Sequence, residues 1–145
     1  MLAIVQKVSS ASIIVNGELH TSINKGVVIF VCIEASDSSK EIIKMKDKIY
    51  TFKILEEDSN IMSTSLQKLE EDIMIVSQYT LAAITTKGTR ASFHKSAKPQ
   101  DAKLLYDGFV REFRKEKNKV VEGVFGEHMD INLVNTGPIT FNFKV

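Results

Sequence analysis

The chain has 145 residues, 43% of them hydrophobic and 26% charged, and its formal net charge is +1. This length and composition are typical of one soluble globular domain, which we expect to span residues 1–145, and they exclude a fibrous or disordered chain. No apolar stretch approaches the roughly 20 residues that cross a bilayer. The small net charge also disfavours a strongly basic domain built to cover nucleic acid.

The N-terminal part of the sequence predicts strands and a hairpin turn. Residues 2–9 and 11–15 have strand patterns, and Asn16-Gly17 after them favours a type I′ turn because both residues tolerate positive φ. Residues 27–33 are apolar throughout, which predicts a strand covered on both faces. These elements indicate a sheet at the start of the chain.

A helix of about four turns is predicted next. Ser38 and Glu41 form a possible capping box at its start, and its apolar positions continue to Phe52. The one cysteine, Cys32, precedes this helix within an apolar run, which predicts a buried core thiol. A lone cysteine excludes an internal disulfide and fits a reducing cytosol. Because the N-terminus also lacks the pattern of a signal peptide, we expect a cytoplasmic protein.

Strand patterns recur in the second half, with one more helix between them. The strands are predicted at residues 73–79, 120–125, 130–135 and 139–143. Pro99 suits the first turn of a helix, and an apolar stripe follows it. Its other face carries four basic side chains, which we interpret as a solvated face: Lys103, Arg111, Arg114 and Lys115. The order of elements predicts a mixed α/β domain with sheets and two main helices.

Two polar segments follow apolar strands and are the candidate site. They are Ser77-Gln78-Tyr79-Thr80 and Asn135-Thr136-Gly137-Pro138. Small polar residues and a Gly-Pro pair are poor strand formers, but at strand ends a rigid sheet can hold them in place. From Gly-Pro alone, the simpler interpretation is a plain turn between residues 131–135 and 139–143.

The sequence contains none of the common motifs of hydrolases and metalloenzymes. There is no Gly-x-Ser-x-Gly elbow and no Walker loop, and His20, His94 and His128 show no metal-ligand spacing with one another or with Cys32. We therefore expect no metal and no cofactor. The Thr80 hydroxyl could be a nucleophile, but no general base is evident beside it, and the alternative is a strand-end hydroxyl bonded to the backbone.

A local basic patch lies between the two segments. It consists of Lys87, Arg90, His94, Lys95 and Lys98, no acidic residue intervenes, and an aromatic ring sits among the cations. Composition alone favours a solvated loop over a phosphate contact.

Together, the two polar segments resemble the paired signatures of the D-aminoacyl-tRNA deacylases, Ser-Gln-x-Thr and a C-terminal Asn-x-Gly-Pro. The run from Lys87 to Phe93 is similar to the family's Lys-Gly-x-Arg-Pro-Ser-Phe loop, and Phe125-Gly126-x-x-Met129 also fits. These motifs occur in the family's order. The chain departs from the family at Lys7 and Ala91, where members commonly carry Arg and Pro, and Lys cannot copy a forked Arg contact.

The resemblance implies a fold and an activity. The fold would be a single domain of curved, barrel-like, largely antiparallel sheets with two main helices, assembled as a homodimer. The activity would be hydrolysis of the ester of D-aminoacyl-tRNA, and of glycyl-tRNA mischarged on tRNA(Ala), as proofreading for translation. Ser77, Gln78 and Thr80 would be the catalytic segment, acting mainly through backbone N–H groups that stabilise an oxyanion. The terminal ribose 2′-OH of the tRNA would help activate water.

The resemblance also implies how substrate is selected. Gly137 and Pro138, joined by a cis bond, would enter the partner subunit's site as a chirality gate that rejects L-aminoacyl-tRNA. Phe93, Met129 and Asn135 would belong to the same substrate-binding region. The tRNA itself would contact Lys87, Arg90 and Lys95.

Two alternatives remain. One is a related deacylase that removes L-alanine from mischarged tRNA, and the other is a non-catalytic nucleic-acid-binding module.

Overall fold

The computed structural model of the chain describes residues 1–86, 88–116 and 119–145. Its two α-helices are α1 (Ser39–Thr51) and α2 (Pro99–Arg114), and a 3₁₀ helix spans Tyr79–Ala82. The strands are β1 (Leu2–Val15), β2 (Glu18–Ile23), β3 (Gly26–Cys32), β4 (Lys53–Glu57), β5 (Asn60–Ser65), β6 (Asp72–Ser77), β7 (Val120–Glu122) and β8 (Met129–Lys144).

One six-stranded, nearly closed sheet dominates the architecture. Its order is β2-β1-β3-β6-β7, and β8 pairs with β1. Strand β1 is antiparallel to β2, β3 and β8, whereas β3, β6 and β7 run parallel. Strands β4 and β5 form a separate antiparallel hairpin. The predicted class, a mixed α/β domain with barrel-like, largely antiparallel sheets and two main helices, is confirmed.

Local signals account for the first turn and the first helix. Asn16 and Gly17 have φ values of 53° and 79°, as the hairpin turn requires. The Ser38 side chain accepts from the backbone of the first turn, and the Glu41 carboxylate accepts from the Ser38 N–H at 2.9 Å. The predicted capping box is therefore present at the start of α1.

Two apolar clusters fill the faces of the sheet. The larger packs both helices against one face, through residues such as Met45, Ile29 and Phe109. The smaller covers the opposite face and includes Val28 and Met74. Because neighbouring residues of β3 point into different clusters, this strand is buried on both sides, as its continuous apolar run predicts.

The prediction of two short strands at each end of the chain is wrong. Residues 2–9 and 11–15 form one strand, and residues 130–135 and 139–143 both lie in β8, antiparallel to β1. Gly137-Pro138 is therefore not a turn that reverses the chain. The pairing jumps from Thr140 opposite Gln6 to Asn135 opposite Val8, so the segment between bulges out of the ladder.

Replacing Phe109 by Ala should destabilise the domain by about 3–5 kcal/mol, because the ring is fully buried between the helices and the sheet. Leu104→Ala on the same helix is the matched control, since its side chain is 67% exposed and its loss should change stability by about 0.5 kcal/mol or less. Urea denaturation measures both, and equal losses would contradict this assignment of the core.

Candidate active site

A cavity of about 450 Å³ opens beside the C-terminal end of β6. Three predicted site residues line it, namely Ser77, Gln78 and Met129. Its inner wall includes the rings of Tyr106 and Phe125, whose centroids are 5.6 Å apart. A concave, mainly apolar cavity with a few polar groups at one edge is the usual form of a small-ligand site.

The backbone changes direction where β6 ends. Gln78 leaves the strand with φ −143° and ψ 80°, and its N–H donates to the Val31 carbonyl at 2.7 Å. The 3₁₀ helix then starts at Tyr79, and the first N–H groups of a helix have no acceptor within it. In the part of the chain that the structure describes, nothing accepts from the N–H groups of Tyr79 or Thr80. These two N–H groups can therefore donate to a bound oxyanion.

The side chains of the same segment are bonded to each other. Gln78 Nε2 donates to the Thr80 Oγ1 at 2.5 Å. Within the described residues, no carboxylate or imidazole is hydrogen-bonded to the Thr80 hydroxyl. The geometry thus gives Thr80 a partner that orients it, but no base that would remove its proton.

A closed loop brings Phe93 to the edge of the cavity. Ile84 and Ser92 exchange two backbone hydrogen bonds of 2.9 and 3.1 Å, which close the loop between them. Phe93 follows directly and packs edge-on against Tyr79, with centroids 5.2 Å apart. Of the predicted tRNA contacts, Arg90 and Lys95 are exposed and Lys87 lies outside the described residues. Phe93 is therefore joined to the Ser77–Thr80 segment through one aromatic contact.

Asn135 holds the Gly-Pro bulge against β1. Its Nδ2 donates to the Ile139 carbonyl at 2.9 Å and to the Lys7 carbonyl at 3.2 Å. Gly137 has φ +120°, the Gly137–Pro138 peptide bond is cis, and both residues are exposed. A Cβ on Gly137 would lie 2.5 Å from Ile139 Cγ1, so the bulge requires glycine there.

One protomer does not bring the two polar segments together. Asn135, Gly137 and Pro138 are not among the described residues that line the cavity. Ser77 lies opposite Val31 on β3, and β1 stands between β3 and β8. Met129 and Ile131, near the start of β8, do line the cavity, whereas the bulge lies further along the strand. The exposed bulge and the cavity are therefore separate features of the monomer.

The chain as a whole matches a known protein family. The model of the family described as D-Tyr-tRNA(Tyr) deacylase matches residues 4–144. The chain belongs to this family. This match confirms the family membership that we inferred from the motifs. Because deacylases are hydrolases, the chain is a member of an enzyme family.

Individual proteins are similar to this chain along nearly their whole lengths. The chain is 41% identical over 145 residues to a D-aminoacyl-tRNA deacylase of Francisella tularensis subsp. novicida, with 100% of both chains covered. A solved structure described as c-Myc DNA Unwinding Element Binding Protein has 31% identity and a TM-score of 0.95, covering 100% of this chain and 99% of that one. A second, of a probable eukaryotic D-amino acid tRNA deacylase, has 19% identity and a TM-score of 0.86, covering 99% and 98%. The last of these supports the fold.

The departure from the deacylase pattern at Lys7 has a defined structural outcome. The Lys7 ammonium is buried and lies 3.0 Å from Glu56 Oε2 on β4, and this hydrogen bond lowers the pKa of the Glu56 carboxyl below its ordinary value. The link from Lys7 to Asn135 uses the Lys7 carbonyl instead. Because a carbonyl is common to every residue type, this support of the bulge does not depend on the side chain at position 7. The second departure, Ala91, is exposed.

Cys32 lies in the wall of the cavity at Ser77, although the residue is only 1% exposed. Burial raises the pKa of the Cys32 thiol, and the Sγ atom lies 3.6 Å from the carbonyl oxygens of Ile33 and Tyr79. The thiolate, which is the reactive form, is therefore disfavoured.

Native protein should accordingly react with a disulfide reagent at pH 7 more slowly than urea-unfolded protein, because burial raises the pKa of the Cys32 thiol and shields it from the reagent. The absorbance of the thiolate that the reagent releases measures both rates. Equal rates would show that Cys32 is accessible and ionised in the cavity.

Several cavity residues were not predicted from the sequence. Tyr106 stands in the apolar stripe of α2, and only the structure shows its hydroxyl donating to the Ile75 carbonyl at 3.0 Å. Ser96 and Ala97 line the opposite wall. The one available signal for this wall was Pro99, which marks the start of α2 beside it.

Two features are absent from the described residues, namely a metal-binding cluster and a membrane-spanning helix. No group of three or more His, Cys, Asp or Glu side chains there could hold a metal ion. Among those residues, no helix is long and apolar enough to cross a membrane.

Proposed function

We propose that this chain hydrolyses the ester bond of D-aminoacyl-tRNA, and of glycyl-tRNA mischarged on tRNA(Ala), and leaves L-aminoacyl-tRNA intact. It would thereby proofread translation in the cytoplasm, with residues 1–145 as one deacylase domain. The observation that carries the proposal is the pair of unoccupied N–H groups at Tyr79 and Thr80, at the edge of a cavity lined by Ser77 and Gln78. The names of the relatives supply the substrate class.

The chemistry needs few side chains. An aminoacyl ester is already activated, so fixed orientation and two donors to the developing oxyanion would account for most of the rate. The Gln78 N–H is occupied by Val31, so we assign the donor role to Tyr79 and Thr80. The Gln78 side chain would orient the Thr80 hydroxyl, and Phe93 and Met129 would pack against the substrate's apolar parts. Water would be the nucleophile.

Chiral selection would use a second subunit. We propose a homodimer in which the exposed Gly137-Pro138 bulge of one protomer stands in the partner's cavity, with Asn135 positioning it. When the α-amino group and the ester are fixed, inversion at Cα exchanges the side chain with hydrogen. An L side chain would then meet the backbone carbonyls of the bulge, whereas a D side chain would point to open space. This is rejection by a steric and polar penalty.

The test is hydrolysis of matched D- and L-tyrosyl-tRNA by the purified protein. We expect release of D-tyrosine and an intact L ester, with glycyl-tRNA(Ala) also cleaved. Equal cleavage of the D and L esters would contradict the gate. Cleavage of L-alanyl-tRNA alone would instead identify the deacylase of L-alanyl mischarged tRNA.

One observation favours a second candidate, a non-catalytic nucleic-acid-binding module. The solved structure with a TM-score of 0.95 is described as a DNA-unwinding-element-binding protein. Under this alternative, the protein would bind nucleic acid and leave both aminoacyl esters intact in the same assay. Arg90 and Lys95 are proposed tRNA contacts in either case, and both are exposed.

Thr80→Ala should retain at least about a tenth of the wild-type kcat/KM, because the N–H of residue 80 survives the change and only the hydroxyl partner of Gln78 is lost. Single-turnover hydrolysis of D-tyrosyl-tRNA measures the effect. Abolished turnover in a folded variant would instead assign the nucleophile to the Thr80 hydroxyl.

A further inference from the structure

The basic face of α2 borders a second cavity of about 510 Å³. The groove runs between α2, strand β7 and the segment after β7, and His20 from β2 closes one side. Val110 also lines it. Tyr106 and Phe125 line both this groove and the cavity at Ser77, so the two cavities share a wall.

The charges of the groove are unequal. Lys103, Arg111 and Arg114 contribute three cations, and Asp107 and Glu122 contribute two carboxylates. The structure pairs four of these five groups. Lys103 Nζ lies 2.6 Å from Asp107 Oδ2, and an Arg114 guanidinium nitrogen lies 3.0 Å from Glu122 Oε1.

Arg111 is the groove cation outside these two ion pairs. Among the described residues, it has no ion pair, although it stands one helical turn from both Asp107 and Arg114. His20 cannot supply a counter-charge, because an imidazole is either neutral or cationic; its Nε2 lies 3.2 Å from the Glu122 carbonyl oxygen. A guanidinium that lines a groove, with the neighbouring carboxylates already engaged, presents a planar set of donors and a charge that suit a phosphate group.

We propose that Arg111 binds a backbone phosphate of the tRNA, next to the end that enters the Ser77 cavity. This inference rests on the proposed function, because that function places the aminoacylated end in the adjoining cavity. A single phosphate contact is also compatible with the net charge of the chain, which is only +1. Such a chain must hold RNA through few, well-placed cations rather than through a wide basic surface.

The first experiment measures binding of deacylated tRNA between 0.05 and 0.2 M salt. Arg111→Gln should flatten the slope of log K against log salt by about 0.9 and raise Kd about eightfold at 0.1 M salt, as the loss of one phosphate contact predicts. Lys44→Gln is the matched control: it removes the same charge from an exposed position on α1 that lines neither cavity, and it should bind as wild type does. An unchanged slope for Arg111→Gln, or an equal loss in both variants, would overturn the proposal.

The second experiment compares two esters, D-tyrosyl-tRNA and D-tyrosyl-adenosine, which has no backbone phosphate. Arg111→Gln should lower kcat/KM about eightfold for the first and leave the second unchanged. Equal loss with both esters would overturn the phosphate assignment. If wild type cleaves neither ester, the proposed function fails, and the binding experiment still decides on Arg111.

Inorganic phosphate serves as the probe for a free-anion site. Phosphate binding that disappears in Arg111→Gln, together with unchanged tRNA binding, would assign the groove to free anions and overturn the proposal.

Discussion

Tyr79→Pro should lower kcat/KM for D-tyrosyl-tRNA by about a hundred- to a thousandfold, the usual cost of one oxyanion donor. Proline has no N–H, and Tyr79 is the first residue of the 3₁₀ helix, where proline is tolerated. The preceding residue, Gln78, has ψ 80° and so lies outside the α region that a following proline disfavours. The substitution therefore removes one donor with little change to the backbone.

Tyr79→Ala is the matched control for this variant. It removes the same exposed ring and the edge contact with Phe93, but it keeps the N–H. An aromatic pair of this kind accounts for about tenfold at most. Steady-state kinetics on both variants, with urea midpoints to verify folding, separates the two roles. Equal activity of the Pro and Ala variants would show that the N–H of residue 79 is not a donor.

Gly137→Ala should lower D-tyrosyl-tRNA hydrolysis by about a hundredfold and reduce the ratio of D to L cleavage. The new Cβ would lie 2.5 Å from Ile139 Cγ1 and 2.9 Å from the Ile139 nitrogen, and φ is +120°, so the bulge must move. A displacement of about 1 Å at a positioning element costs about a hundredfold in rate. Initial rates with the two tyrosyl esters measure both effects.

Gly17→Ala provides the control for Gly137→Ala. Gly17 also has a positive φ, +79°, but a Cβ there meets nothing within 4 Å, and the residue sits in the remote β1–β2 turn. This variant should lose some stability and keep wild-type rate and selectivity. If Gly137→Ala also keeps both, the bulge takes no part in selecting the substrate.

Sequence patterns sufficed where a structure depends on near neighbours. The capping box of Ser38 and Glu41 and the turn at Asn16-Gly17 are local, so residue type alone predicted them. The buried strand β3 was equally readable, because a continuous apolar run has few other uses.

Patterns failed where distant pairing overrides local preference. Gly137-Pro138 breaks a strand by propensity, but twelve register pairs with β1 keep β8 continuous on both sides of it. The hairpin β4–β5 was missed because its turn and strand ends are polar, and because β5 buries the polar Thr64 and Ser65 but exposes Ile61 and Met62.

The sequence named candidate site residues but did not give their geometry. The motif identified Ser77 and Gln78, but the bond from Gln78 N–H to Val31 joins residues far apart in sequence. Only this tertiary bond shows which N–H groups are left for a substrate. That the Gly-Pro bulge lies outside the cavity while Met129 of the same strand lines it likewise depends on the tertiary arrangement, which no local pattern encodes.

A mixed dimer tests the proposed composite site most directly. Protomers carrying Tyr79→Pro and Gly137→Ala, each with a different affinity tag, are combined, and the heterodimer is isolated. If the bulge of each protomer serves the partner's cavity, one site carries both changes and the other carries neither. The account predicts about half of the wild-type D-tyrosyl-tRNA hydrolysis per dimer, with wild-type rejection of the L ester. A heterodimer as inactive as its folded parents would show that both segments act within one subunit and would contradict the account.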